Sequence, residues 1–391
     1  MTPGNNSVLA KSLAASRIII CSSVKLKFIY IVSLNLSSKI VFLSNMKHRV
    51  IGIMSGTSLD GVDLAYISFN FEDNWKYELG VCQTISYDEK WLKELNELHL
   101  KPIEYIQNID KHYTEYISKL IENFIKTYNL DVNLICSHGH TVLHEPEKGI
   151  TLQIGNGKII NKIVKIPVVS DFRILDVELG GQGAPLVPIG DELLFKEYDY
   201  CLNLGGFSNF SYSKNGQRLA YDICPVNIAL NTYANQLGYV YDKNGKLAEG
   251  GKLNKQLLRA LNNIDYYRQA PPKSLGKEWL EKKFISIIDQ FEDTIENKLN
   301  TIAEHAAIQI ANCIKEGTCL VTGGGAFNTF LMKRITTHSK AKFTLGDKKL
   351  IEYKEALIFG LLGVLNREGE INCLASVTGA KRDSIVGQYV V

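Results

Sequence analysis

Ile51-Gly52-Ile53-Met54-Ser55-Gly56-Thr57-Ser58-Leu59-Asp60-Gly61-Val62-Asp63-Leu64-Ala65-Tyr66 is the stretch that decides how this chain folds. Apolar residues alternate on both sides of a short run of small and hydroxylated ones, so the segment reads as strand, tight turn, strand. Gly56 and Gly61 leave the turn backbone open to close approach, and Thr57 and Ser58 offer amide and hydroxyl donors. Asp60 and Asp63 place two carboxylates at the same turn, a donor type that suits a magnesium ion beside a phosphate. The loop-to-helix phosphate motif G-x-x-x-x-G-K-[ST] does not occur, so any phosphate grip here is of the hairpin kind. An ordinary glycine-containing hairpin is the competing reading of this segment taken alone.

The pattern recurs further along. Tyr200-Cys201-Leu202-Asn203-Leu204 reads as a strand, Gly205-Gly206-Phe207-Ser208-Asn209 as a turn, and Phe210-Ser211-Tyr212 as a returning strand. A third strand, Thr318 to Thr322, runs into Gly323-Gly324-Gly325-Ala326-Phe327-Asn328. Three glycine turns, each following a strand, are what a nucleotide held in a cleft needs: two grip phosphates and one lets a purine lie on bare backbone. Between them, Trp91 to Asn129 reads as helix broken at Pro102, and Leu134-Ile135-Cys136 as a strand ending in a polar loop, Ser137-His138-Gly139-His140-Thr141. Thr151 to Ile154 and Val168 to Ser170 read as short strands; Asn227 to Leu237, Ala303 to Ile314 and Glu355 to Leu365 read as helices. The alternation predicts an α/β protein with a rough internal duplication, and Gly180 to Pro188 is the best point for the chain to cross between halves.

The formal charge of +3 misleads, because residues 1–45 hold five basic residues and no acid. Removing those five from 44 leaves 39 basic against 41 acidic residues, a net of −2. No nucleic-acid surface is implied for the main body. The apolar runs in the first 45 residues are interrupted by Lys25, Lys27 and Lys39 and fall short of the roughly 20 residues of a membrane span. Met46 is the expected true start, with residues 1–46 a non-family extension. Eight cysteines lack any C-x-x-C spacing, which predicts buried free thiols, a reducing cytoplasmic setting and no zinc site.

From about Val50 to the end, the chain closely resembles the anhydro-N-acetylmuramic acid kinases. The resemblance rests on residues 54–63 of the opening turn, Ser137-His138-Gly139, Leu152 to Asn156, Asp171-Phe172-Arg173 and Gly180 to Pro188. Asn203 to Asn209 and Gly323 to Asn328 complete it. It implies a two-domain actin-like ATPase (ribonuclease H-like) fold with a nucleotide cleft between the domains. The expected division is 47–174, with 365–391 packing back on it, and 175–364. The implied reaction uses ATP and Mg2+: water opens the 1,6-anhydro bridge while the freed 6-oxygen takes the γ-phosphoryl group, giving N-acetylmuramic acid 6-phosphate during cell-wall recycling.

By the same resemblance the general base is Asp222, in Tyr221-Asp222-Ile223-Cys224-Pro225-Val226-Asn227; capping of the following helix is its alternative role. Cys224 and Val226 stand where the family has glycines, and Asn231 where an aspartate is common. Implied ATP contacts are Gly56, Thr57, Ser58, Leu59, Asp60, Gly61, Val62, Asp63, Asn203, Gly205, Gly206, Gly323, Gly324, Gly325 and Asn328. Magnesium falls to Asp60 and Asp63, largely through water, since Asn203 replaces an aspartate common in the wider superfold. Implied substrate contacts are His138, Arg173 and Glu355. Their plainer roles are fixing a turn, pairing with Asp171 or Asp176, and a solvated helix position, respectively. Pro272-Lys273-Ser274 resembles a family segment at the mouth of the site without an assigned role. A homodimer acting on a small molecule is expected. A kinase of another 1,6-anhydro-sugar such as levoglucosan, or a nucleotide-binding regulator without turnover, are the other functions considered.

Overall fold

The computed structural model describes residues 47–56 and 59–391. The readings made for residues 1–46, and for Thr57 and Ser58, lie outside the described residues. By contacts the described residues divide into two units, Lys47 with Asn70–Lys76, and His48–Phe69 with Tyr77–Val391. In the first, Glu72 accepts from Asn70 and pairs with Lys76, and the Phe71 and Trp75 rings meet edge to face at 5.2 Å. The second holds both hydrophobic cores and the three glycine turns.

Twelve strands are described: β1 (Lys47–Ser55), β2 (Val62–Phe71), β3 (Trp75–Ile85), β4 (Leu134–Glu145), β5 (Ile150–Ile154), β6 (Val168–Ser170), β7 (Tyr200–Leu204), β8 (Phe207–Lys214), β9 (Gln217–Pro225), β10 (Thr318–Thr322), β11 (Lys342–Leu345) and β12 (Gln388–Val390). They form two sheets, ordered β12-β6-β4-β1-β2-β3 with β5 beside β4, and β11-β10-β7-β8-β9. The order β6-β4-β1-β2-β3 in one is the order β11-β10-β7-β8-β9 in the other, so the duplication expected from two hairpins extends to whole sheets. In both, the central strand pairs in parallel with a later one, β1 with β4 and β7 with β10. Parallel neighbours need crossover connections, and the helices that make them cover the sheets.

Each sheet has its own core. The helix Ile103–Tyr128 starts after Pro102, whose ring suits a helix start, and buries Ile106, Tyr113, Ile117, Ile121 and Phe124. Those positions recur at intervals of three, four and seven, one face of a helix, and pack with Ile51, Ile53 and Leu64 of the first sheet. The second sheet buries Leu202, Leu204, Phe210 and Ile223 with Leu299, Ile302, Ala303 and Ala306 of the helix Ile295–Cys313. At about 1.5–3 kcal/mol for each large apolar side chain, these two clusters are the main stabilising contributions. The helix Lys348–Glu368, buried without interruption from Ala356 to Leu365, contacts β4 and β6 of one sheet and β10 of the other.

One expectation is corrected here. Ser137 to Thr141 is not a loop; β4 continues through it to Glu145. His140 to Glu145 pair antiparallel with β5, which supplies the backbone partners that the polar side chains conceal in the sequence.

Candidate functional site

The three glycine turns all stand at the carboxyl ends of parallel strands, β1, β7 and β10, where open α/β sheets hold ligands. After β1, Gly61 adopts φ +149°, and a Cβ there would lie 2.4 Å from the Ile85 carbonyl oxygen. Only glycine fits. Beneath this turn Ser55 is buried, its hydroxyl bonded with Tyr87 at 2.6 Å, Tyr113 at 3.0 Å and His140 Nδ1 at 3.2 Å. Asp63 accepts from Thr84 Oγ1 at 2.6 Å. Burial pushes its carboxyl up, the Thr84 bond opposes that, and the Asp60 and Glu352 charges push it further up.

The second turn is closed by the chain that follows β9. The N–H groups of Val226 and Ile228 donate to the Gly206 carbonyl, and that of Asn227 to Gly205. Val226 has φ −129°, so the lost family glycine is not needed for a left-handed backbone there. Cys224 is buried, its sulfur 3.2 Å from Ser208 Oγ. At the third turn Gly323 has φ +81°, and a Cβ would meet Asn203 Oδ1 at 2.4 Å and Leu204 backbone below 3 Å. Asn203 therefore fits against the third turn from the second.

Asp222 lies on β9 opposite Asn209 of β8. Its carboxylate does not cap the next helix, which has no side-chain cap; Oδ2 accepts instead from the Leu275 N–H at 2.8 Å. Burial raises the carboxyl's pKa and the Leu275 bond partly offsets it. Among the described residues no hydrogen bond is made by Oδ1.

Glu355 stands in the helix Lys348–Glu368 just after Tyr353, where the backbone departs from helical geometry (φ −120°, ψ 16°). It is exposed on the cavity wall, and the protein crowded around it raises its carboxyl's pKa against the opposing pull of the Arg173 charge. Arg173 does not pair with Asp171 or Asp176. Its Nε donates to His138 Nε2 at 2.9 Å and Nη1 to the Gly183 carbonyl at 2.6 Å. Asp176 is occupied by Gly183 N–H, Thr378 and Cys373, and Asp171 by Ser170. His138 is buried, its Nδ1 2.9 Å from the Gly139 carbonyl. Accepting at Nε2 and donating at Nδ1 makes it neutral, in keeping with a pKa driven far down by burial and the neighbouring guanidinium.

One cavity of about 1220 Å3 gathers these groups. Gly56, Asp60, Gly61, Asp63, Asn203, Gly205, Asp222, Gly323, Gly324 and Glu355 line it, together with Lys273 and Lys354. A site for one small molecule spans about 300–1000 Å3, so this one has room for two. A second hollow, of about 450 Å3 around Glu192 and Gly317, contains none of the expected site residues. Not every expected contact reaches the large cavity. Leu59 (φ 62°), Val62, Gly206, Gly325, Asn328, His138 and Arg173 are not on its wall. Asn328 caps the helix Thr329–His338 by accepting from Leu331 N–H, and Gly325 packs on Leu204. No cluster of three or more His, Cys, Asp or Glu residues suited to a metal occurs among the described residues. Asp60 and Asp63 remain hard oxygen donors on one wall, a set that fits an ion keeping most of its water.

Sequence reasoning gave no partner to Asp222. Leu275 lies 53 positions away, and only Pro272-Lys273-Ser274 hinted at it. It also missed the buried ion pair of Lys354 with Asp191, 2.7 Å apart, beside Glu355.

Duplicated sheets, with glycine turns and isolated carboxylates around one large cavity, define an α/β ATPase of the phosphotransferring kind. The family model described as anhydro-N-acetylmuramic acid kinase matches residues 48–391, and the chain belongs to that family. It is 32% identical to the anhydro-N-acetylmuramic acid kinase of Shewanella loihica over 368 residues, covering 87% of this chain and 98% of that protein. With that of Pseudomonas fluorescens it shares 35% over 361 residues, covering 86% and 98%. Among solved structures, the activator of 2-hydroxyisocaproyl-CoA dehydratase from Clostridium difficile with bound ADPNP overlaps 83% of this chain and 96% of its own, with 12% identity and a TM-score of 0.41. Membership brings with it the actin-like fold and ATP use. No helix among the described residues is long and apolar enough to cross a membrane.

Proposed function

We propose that this protein is an ATP-dependent kinase that opens the 1,6-anhydro ring of anhydro-N-acetylmuramic acid and phosphorylates O6, as part of cell-wall recycling. The observation that carries the reading is one cavity, large enough for nucleotide and sugar together, with all three glycine turns on its wall and Asp222 among them. Asp222 takes a proton from a water aimed at the anomeric carbon. The water oxygen bonds C1, the C1–O6 bond breaks, and O6 attacks the γ-phosphorus as ADP leaves. Asp222 suits this role because Leu275 occupies one carboxylate oxygen and leaves the other to the water. Glu355 lies on the same wall and is assigned to the sugar, with Arg173, braced by His138, set behind it.

The turns at Gly56, Gly205 and Gly323–Gly324 are assigned to ATP. Asp60 and Asp63 would hold Mg2+ through water, and the ion would neutralise phosphate charge. Residues 47–174 with 365–391, and 175–364, are assigned to two lobes that close over the ligands and exclude stray water. The protein is further proposed to be a cytoplasmic homodimer that binds neither membrane nor nucleic acid; seven described cysteines, all free thiols, suit a reducing compartment. The test is ADP release with anhydro-N-acetylmuramic acid in 18O-labelled water. The account expects sugar-dependent ADP and one label in the product, at the anomeric hydroxyl. No sugar-dependent ADP, or faster release with levoglucosan, would overturn it.

A further inference from the structure

Asp222 is held by a closed ring of contacts to one segment of chain, residues 266–275. The Tyr266 hydroxyl donates to the Asp222 carbonyl at 2.6 Å. The Lys273 ammonium donates to the Tyr266 carbonyl at 3.1 Å. The Asp222 N–H donates to the Lys273 carbonyl at 3.3 Å, and the Leu275 N–H to Asp222 Oδ2 at 2.8 Å. Lys273 is fastened further by two aromatic faces, 4.6 Å from the Tyr266 centroid and 5.4 Å from that of Tyr221. It makes no ion pair with a carboxylate among the described residues, so the rings and the carbonyl are its partners.

We infer that Lys273 is a positioning residue for Asp222: clamped between Tyr221 and Tyr266, it fixes the strap whose Leu275 N–H occupies Oδ2 and turns Oδ1 toward the reacting water. The inference rests on Asp222 being the base. Its physical content is that an N–H donor two residues along the strap can hold a carboxylate only while the strap itself is anchored. Backbone N–H groups bound to a carboxylate also favour its charged form, so the strap keeps the base ionised against the effect of burial. Lys273 does this through the chain, by way of the strap, rather than by contact with the Asp222 carboxylate.

The experiment compares Lys273→Met, Lys273→Arg, Tyr266→Phe and Asp222→Asn in the full chain. In Lys273→Met, kcat falls at least tenfold while KM for ATP stays within about twofold, and the acid limb of kcat/KM moves up by about one pH unit, the worth of one charge-assisted hydrogen bond. Lys273→Arg, which keeps a cation over the rings, restores most of both. Tyr266→Phe, which removes a single hydroxyl, shifts the limb the same way by less and stands in should Lys273→Met fail to fold. The titration of the Asp222 carboxyl, isolated by infrared difference against Asp222→Asn, rises equally whether or not sugar turns over. A folded Lys273→Met or Tyr266→Phe with neither titration nor acid limb displaced overturns the inference. If Asp222→Asn alone retains turnover, the reading of Asp222 as base fails instead.

Discussion

Replacing Lys354 by Met removes the cation from a buried network whose members are all visible. Lys354 Nζ lies 2.7 Å from Asp191 Oδ1, and both side chains are more than nine-tenths buried. Asp191 Oδ2 accepts from Ser211 at 2.5 Å, Ser211 accepts from Arg218 at 2.7 Å, and Arg218 Nη2 stands 4.0 Å from Asp191. Breaking a buried pair costs about 3–5 kcal/mol when nothing else meets the stranded charge. Ser211 and Arg218 still do, so the lower end, about 3 kcal/mol, applies. At about 2.1 cal/mol/K per residue this lowers the thermal midpoint of a chain this long by about 4 °C.

Burial alone would lower the Lys354 ammonium's pKa, but the Asp191 charge outweighs it and the pKa ends above its ordinary value. The stabilisation is therefore complete below the unfolded lysine pKa and lost only as pH rises through the higher folded one. Between pH 6 and 9 the wild-type to Lys354→Met difference stays constant. The assay is calorimetric or denaturant unfolding of the wild type and Lys354→Met across that pH range. A midpoint unchanged in Lys354→Met, or a difference that varies between pH 6 and 9, would refute the reasoning.

Other outcomes follow from the same geometry. Burial raises the Asp222 carboxyl, and a base works only when ionised, so kcat/KM falls with acidification at a pH above the ordinary aspartate range; a pH profile flat down to about 4 would count against it. Gly61→Ala drives a Cβ to 2.4 Å from the Ile85 carbonyl at φ +149° and should weaken ATP binding at least tenfold by displacing the turn, read by calorimetric titration with a non-hydrolysable analogue. Gly324 has no atom nearer than 4.0 Å to such a Cβ, so Gly324→Val should leave stability within about 1 kcal/mol yet weaken nucleotide binding; unchanged affinity would remove it from the site.

Much of this was readable in the residues, for definite physical reasons. Alternating apolar positions and glycines at strand ends announce β1 to β2 and β7 to β8, because both signals are local. The extension of β4 was hidden because Ser137 to Thr141 shows no apolar alternation; the pairing with β5 that holds it is visible only in space. The plainer role considered for Arg173, pairing with Asp171 or Asp176, was suggested by their closeness along the chain, yet Asp171 bonds Ser170 and Asp176 is spent on Gly183 and Thr378. The hold on Asp222 escaped because it comes from a segment more than 40 positions away, and no periodicity reports a contact of that kind.

The central claim is that one carboxylate, aimed at the sugar from the cavity wall, makes the water reactive. Asp222→Asn tests it most directly, since an amide oxygen can still accept from Leu275 and keep the strap in place. Turnover with anhydro-N-acetylmuramic acid should drop by about 100-fold or more with ATP affinity near that of the wild type. Turnover within a few-fold of wild type would contradict the account.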